Sequence, residues 1–133
     1  MTESEIFVFG DSLSDTGNSF NLTGGAIPPT SFFSDGRASN GPLALEILAD
    51  RNPNLALNPL NNFAFIGART GDGNSNEDDL GGVNLPGLRD QIDAFKIGIG
   101  AGKADPNGLY AIWAGPNDFL DFLGGSTSED PAV

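Results

Sequence analysis

Three residues have the types and the settings that acyl transfer requires: Ser12, Gly67 and Asn117. Each lies just past a short apolar run, Ile6–Phe9, Phe63–Ile66 and Leu109–Ala114. A serine oxygen that attacks a carbonyl pushes negative charge onto the carbonyl oxygen. Preorganised N–H donors around that oxygen lower the barrier, and loss of one costs about a hundredfold or more in rate. Ser12 N–H, the unhindered Gly67 N–H and the Asn117 carboxamide make three such donors, and asparagine donates without bringing a charge. A serine hydroxyl also needs an adjacent base to become a good nucleophile. The sequence contains no histidine to serve as one.

The elements that must position these residues follow from the pattern of apolar runs. Ile6-Phe7-Val8-Phe9, aromatic and β-branched, predicts a strand buried on both faces and central in a parallel sheet. It stops at Gly10-Asp11-Ser12, and ligands in open α/β sheets bind outside the carboxyl ends of the strands. Phe20 to Asn40 reads as a long irregular loop, of the kind that is functional or mobile. Its Phe32 and Phe33 either pin the loop to the body or form an apolar wall for a substrate. Asn40-Gly41-Pro42 predicts a helix that begins at Pro42, carries its apolar stripe on Leu43, Ile47 and Leu48, and closes at Asn52-Pro53. Asn62 to Gly67 predicts a second parallel strand.

Residues 68–84 are rich in Gly, Asp and Asn. Asp72-Gly73-Asn74-Ser75-Asn76 begins like a calcium loop, but the turn position is Glu77 and the bidentate position Val83, so the pattern fails. A solvated acidic loop is the expectation; the alternative is a weak incidental cation site among Asp72, Glu77, Asp78 and Asp79. Pro86 then opens the most periodic helix, with Leu85, Leu88, Ile92, Phe95 and Ile99 on one face. Leu109 to Ala114 is a third apolar strand, and Phe119, Leu120, Phe122 and Leu123 suggest a short helix. Ser128 or Asp130 followed by Pro131 announces another helix with only two residues to follow, which points to the front part of something longer or else to a disordered tail. The order β, α, β, α, β implies right-handed crossovers, helices on both faces, and all three strand ends on one rim.

The bulk properties narrow the partners. A length of 133 residues suits one domain. The net charge of -12, with 18 acidic against 6 basic residues, argues against nucleic acid or an anionic membrane as a partner. No cysteine is present, so thiolate metal sites and disulfides are excluded. The first residues show no signal-peptide pattern and no stretch is long enough to span a membrane, so the default expectation is cytoplasmic, with secretion by another route left open.

GDSLSDTGN at 10–18, NFAFIGA at 62–68 and GPND at 115–118 resemble, in order and spacing, the first three sequence blocks of the GDSL or SGNH hydrolases, a family of serine esterases and lipases. SDGRASNGPLALEILAD at 34–50 resembles the segment that follows block one in the branch containing many secreted lipases. The resemblance implies a flavodoxin-like three-layer α/β/α fold with a parallel sheet, here a single partial domain over residues 1–133, incomplete at the C-terminus. It implies Ser12 as nucleophile and, with Gly67 and Asn117, as part of an oxyanion hole. Asp11 would brace the turn, Asp15 and Asn18 would hydrogen-bond it locally, and Asp118 would hold the loop behind Asn117. Neither cofactor nor metal is implied, and the substrate would be a small-molecule ester.

The fourth block of the family, Asp-x-x-His, supplies the base and its orienting acid, and no such block is present. Two functions are therefore expected as rivals. One is an ester hydrolase acting through an acyl-serine intermediate, whose base comes with a further C-terminal portion. The other is a non-catalytic module that keeps the crevice for a carbohydrate or acyl ligand. In the first, Phe32, Phe33 and the Gly71–Asn84 loop are candidates for the lips of the site. A G-x-S-x-G elbow fits neither the Ser14 that follows Leu13 nor a role for Asn117.

Overall fold

The computed structural model describes residues 4–76 and 82–124. Its centre is strand β1, Ser4–Gly10. β2 (Leu55–Ala56) pairs with one side and β3 (Leu109–Trp113) with the other, both parallel to β1, in the order β2-β1-β3. Four helices complete the described chain: α1 (Asn18–Leu22), α2 (Ala44–Arg51), α3 (Leu88–Ile99) and α4 (Pro116–Gly124). No helix among the described residues is long and apolar enough to cross a membrane.

Alternation along β1 separates two apolar layers. Ile6 and Val8 are fully buried with Ala64 against Leu45, Ala49, Leu55 and Leu57. Phe7 and Phe9 serve the opposite face, where Phe7 stacks on Tyr110 at 4.9 Å and Phe9 on Phe63 at 5.3 Å. Phe95 of α3 meets all four rings edge-on at 5.5–6.0 Å. Quadrupolar rings favour that geometry, at about 0.5–1.5 kcal/mol per pair beyond burial. Phe95 thus gives α3 an aromatic anchor on the sheet.

The structure corrects several expectations. The second strand is split: β2 covers only Leu55–Ala56, a 3-10 turn at Pro59–Asn61 interrupts it, and residues 62–66 then run beside β1 without forming a regular strand. That segment gives β1 two backbone bonds, Phe63 N–H to Val8 O (2.8 Å) and Phe65 N–H to Gly10 O (3.1 Å). On its other side, side chains replace a neighbouring strand. Asn18 Nδ2 donates to the Asn62 and Ala64 carbonyls, and Asp15 and Ser19 accept from Ile66 N–H. α2 begins at Ala44, two residues after Pro42; it packs with Leu45 and Ala49, while Ile47 and Leu48 are exposed. α3 begins at Leu88 rather than at Pro86.

The segment expected to be irregular from Phe20 starts inside α1 and is tied back further on. Arg37 donates from both arms of its guanidinium to Glu46, at 2.7 Å each, and the same carboxylate accepts from Leu43 N–H at the start of α2. Such forked pairing fixes orientation as well as distance. β3, whose apolar sequence suits a buried strand, is an exposed edge strand: no strand among the described residues pairs with its outer side, and Ile112 and Trp113 are 60 % and 54 % exposed. Ser128, Asp130 and Pro131 lie outside the described residues.

Candidate active site

The three exits meet on one rim because each is bonded to the next. Gly10, the last residue of β1, accepts from Phe65 N–H two residues before Gly67. Asp11 N–H donates to the carbonyl of Trp113, the last residue of β3, at 3.1 Å. Asn117 stands in the first turn of α4 and its Nδ2 donates to Ala68 O at 2.9 Å, next to Gly67. The neighbourhoods of Ser12, Gly67 and Asn117 are therefore linked pairwise.

Around Ser12 the side chains of Asp15, Asn18 and Asn62 are engaged. Asp15 is fully buried and its carboxylate accepts from the N–H groups of Gly17, Asn18, Ser19 and Ile66, at 2.6–3.1 Å. Asp15 and Asn18 were expected to act within the turn; they also reach across to the 62–66 segment. Asn62, buried, donates to Ser14 O and Thr16 Oγ1 at 2.9 Å each. Ser12 itself makes no hydrogen bond with the described residues, through either its hydroxyl or its N–H, and it is only partly buried. Gly67 N–H likewise has no acceptor among the described residues. Gly67 has φ 79°, and a Cβ there would fall 2.2 Å from Asn76 Nδ2 and 2.5 Å from Asn74 Oδ1, so only glycine fits.

Helix α4 clamps the loop that follows Gly67. Asp118 accepts from Thr70 N–H and Oγ1–H, and Asp121 accepts from Arg69 Nε–H and Ser75 Oγ–H at 2.6 Å each. The hydrogen bonds of the Asp118 carboxylate thus go to the loop after the second block. Asn74, which the sequence offered as a calcium ligand, is fully buried and donates to Ile66 O. Asp72 is exposed and faces Arg89 at 3.4 Å, while Glu77, Asp78 and Asp79 lie outside the described residues. Among the described residues no cluster of three acids could hold a metal ion.

One cavity reaches Leu13 and Ser14 beside Ser12, and a second is lined by none of the rim residues. The larger, about 390 Å³, is an apolar groove between the start of α2 and the uncovered face of β3, lined by Leu13, Leu43, Leu45, Ala111 and Trp113 among others. The other, about 300 Å³, is lined by Asp72, Asn84, Leu85, Pro86 and Asp90, which places part of the Gly71–Asn84 loop beside a crevice. Phe32 and Phe33 line neither, and Phe32 is 80 % exposed.

Asp11 is buried, and desolvation pushes its carboxyl above the ordinary carboxylate range, opposed by the Leu13 N–H it accepts at 3.1 Å. A raised folded-state value means that the folded chain holds the proton more tightly than the unfolded one, so this group's contribution to stability falls as pH rises through the window above the ordinary value. Asp11→Asn keeps an acceptor for Leu13 N–H and removes the ionisation. The melting temperature of the variant relative to the parent is expected to climb as pH rises above the ordinary carboxylate value and then to level off, as thermal unfolding followed by circular dichroism would show. A difference that does not change with pH would refute the assignment.

A parallel sheet with a serine, a glycine N–H and an asparagine amide at the carboxyl ends of its strands defines the class of this chain as α/β. The chain belongs to the GDSL-like lipase/acylhydrolase family, whose model matches residues 6–132. It is 32 % identical over 127 residues to a phosphatidylcholine-sterol acyltransferase of Aeromonas hydrophila, a match covering 96 % of this chain and 36 % of that protein. The chain thus spans about a third of the length of that relative.

Among the residues that position this rim, sequence reasoning missed Ser19, Asn62 and Gln91. Gln91 is 1 % exposed on α3, accepting from Gly10 N–H at 2.8 Å and donating to Gly10 O at 2.9 Å. Its signal was a lone polar residue three after Leu88 and four before Phe95, on the apolar face of a helix.

Proposed function

We propose that Ser12 is the nucleophile of an acyl-transfer site acting on carboxylic esters, with Ser12 N–H, Gly67 N–H and the Asn117 amide as oxyanion donors. Ser12 Oγ forms a bond to the acyl carbon, the ester C–O bond breaks, and the serine proton passes through a base to the departing alcohol. Water or a second alcohol then takes the acyl group. The base belongs to an Asp-x-x-His block on further β–α elements of a longer polypeptide, packed on the outer edge of β3 and the apolar groove beside it. Support for that placement comes from the uncovered strand itself and from the family relative, nearly three times as long as the match. A sheet wound on both faces takes a helix over each strand.

The observation that carries the reading is that the Ser12 hydroxyl and N–H and the Gly67 N–H have no internal partner among the described residues, while the side chains of Asp15, Asn18 and Asn62 beside them are engaged. A fluorophosphonate probe tests it on this chain. Oxyanion donors and binding alone retain roughly a thousandfold over water when a triad member is missing. Slow labelling at Ser12, seen by peptide mass spectrometry and lost in Ser12→Ala, is expected. No labelling above that of an unfolded control would favour the ligand-binding module instead.

A further inference from the structure

The nucleophile turn hangs from a glycine, and glycine is the residue with the greatest backbone freedom. Gly10 has φ 147°, and a Cβ built on it would lie 2.1 Å from Trp113 O, so no other residue fits between β1 and β3. Its freedom has to be removed from outside. Phe65 N–H donates to its carbonyl from one flank, and Asp11 N–H holds Trp113 on the other. The remaining contacts come from α3: the Gln91 carboxamide spans both the N–H and the C=O of Gly10, with neither atom of the amide spent elsewhere.

This is peptide-like pairing by a side chain across 81 residues of sequence, and both partners are buried. A carboxamide offers a donor and an acceptor side by side, which matches one residue's N–H and C=O. α3 is itself pinned to the sheet through Phe95, one turn further on. We infer that Gln91 is a positioning residue for acyl transfer: it locks the Gly10 peptide groups to α3 and thereby fixes where Ser12 Oγ and Ser12 N–H point. The inference rests on the reading of Ser12 as nucleophile.

The 133-residue chain is treated with a fluorophosphonate, and labelling is measured against probe concentration. In that step Ser12 Oγ bonds to phosphorus, fluoride leaves with the P–F electron pair, and the hydroxyl proton passes to solvent. Gln91→Met removes both hydrogen bonds at similar length; Gln91→Asn keeps the amide but withdraws it by one methylene. At temperatures where circular dichroism shows either variant fully folded, the maximal labelling rate is expected to drop about tenfold to a hundredfold. The half-saturating probe concentration should stay at the parental value. A residue that only stabilises the fold would lower the melting temperature and leave the maximal rate of the folded protein unchanged.

A folded Met or Asn variant with the parental maximal rate overturns the inference and leaves Ser12 as nucleophile. If Gln91→Met fails to fold, Gln91→Asn decides. Absence of Ser12 labelling in the parent overturns the nucleophile reading, and the role of Gln91 falls with it.

Discussion

Given a base, Ser12 is expected to turn over esters about a millionfold faster than this chain does alone, the cost seen elsewhere when a triad loses its histidine. The sequence has a candidate nucleophile and candidate donors but no imidazole. Two measurements separate the contributions. Free imidazole added to the chain should raise hydrolysis of p-nitrophenyl butyrate in proportion to its concentration, beyond what Ser12→Ala shows under the same conditions. A polypeptide bearing the Asp-x-x-His block, joined to or co-expressed with this chain, should deliver the larger effect. The sequence has one tryptophan, Trp113, 54 % exposed on the β3 edge, so its emission should shift to the blue as that block docks. Equal rates in the parent and in the Ser12→Ala variant would end the nucleophile assignment.

In that completed enzyme, Asn117→Ala should lower kcat by about a hundredfold or more with little change in KM. The amide carries two hydrogens on Nδ2. One is spent on Ala68 O, which orients the group; the other has no acceptor among the described residues. Asn117→Asp removes both donors at nearly constant shape and adds a charge of the wrong sign, so its loss should be at least as large. Steady-state kinetics on the two variants checks this, and a change confined to KM would assign Asn117 to substrate binding instead.

The parts of this fold legible in the sequence are those where one residue type has few alternatives. An apolar run ending in Gly-Asp-Ser, a helix with Phe95 on its stripe and a third strand, read to Ala114 and found to end at Trp113, were read directly. The split second strand was not legible, because nothing in Asn62 to Gly67 shows that its outer carbonyls bond to Asn18, 44 and 46 residues earlier. The α2 stripe was read correctly at Leu43, which is buried, and misread at Ile47 and Leu48, because these satisfy helical spacing as well as Leu45 and Ala49 do; only the sheet decides which face is buried. Gln91 was hidden for the opposite reason, since a polar residue on an apolar face drops out of any list of hydrophobic positions.

The two sides of the sheet end differently, and that has a consequence for how the chain behaves in solution. Beyond the 62–66 segment, the carboxamide of Asn18, the carboxylate of Asp15 and the hydroxyl of Ser19 occupy the positions a neighbouring strand would take. Among the described residues β3 has no such finish, and an unpaired parallel edge beside exposed Ile112 and Trp113 is a template for any other extended chain. Set against this is a net charge of -12, which makes copies of the chain repel one another at long range. Salt shortens that range to about 10 Å at 0.1 M. Ionic strength, acting on charges spread over the whole surface, therefore governs how long this one edge stays single.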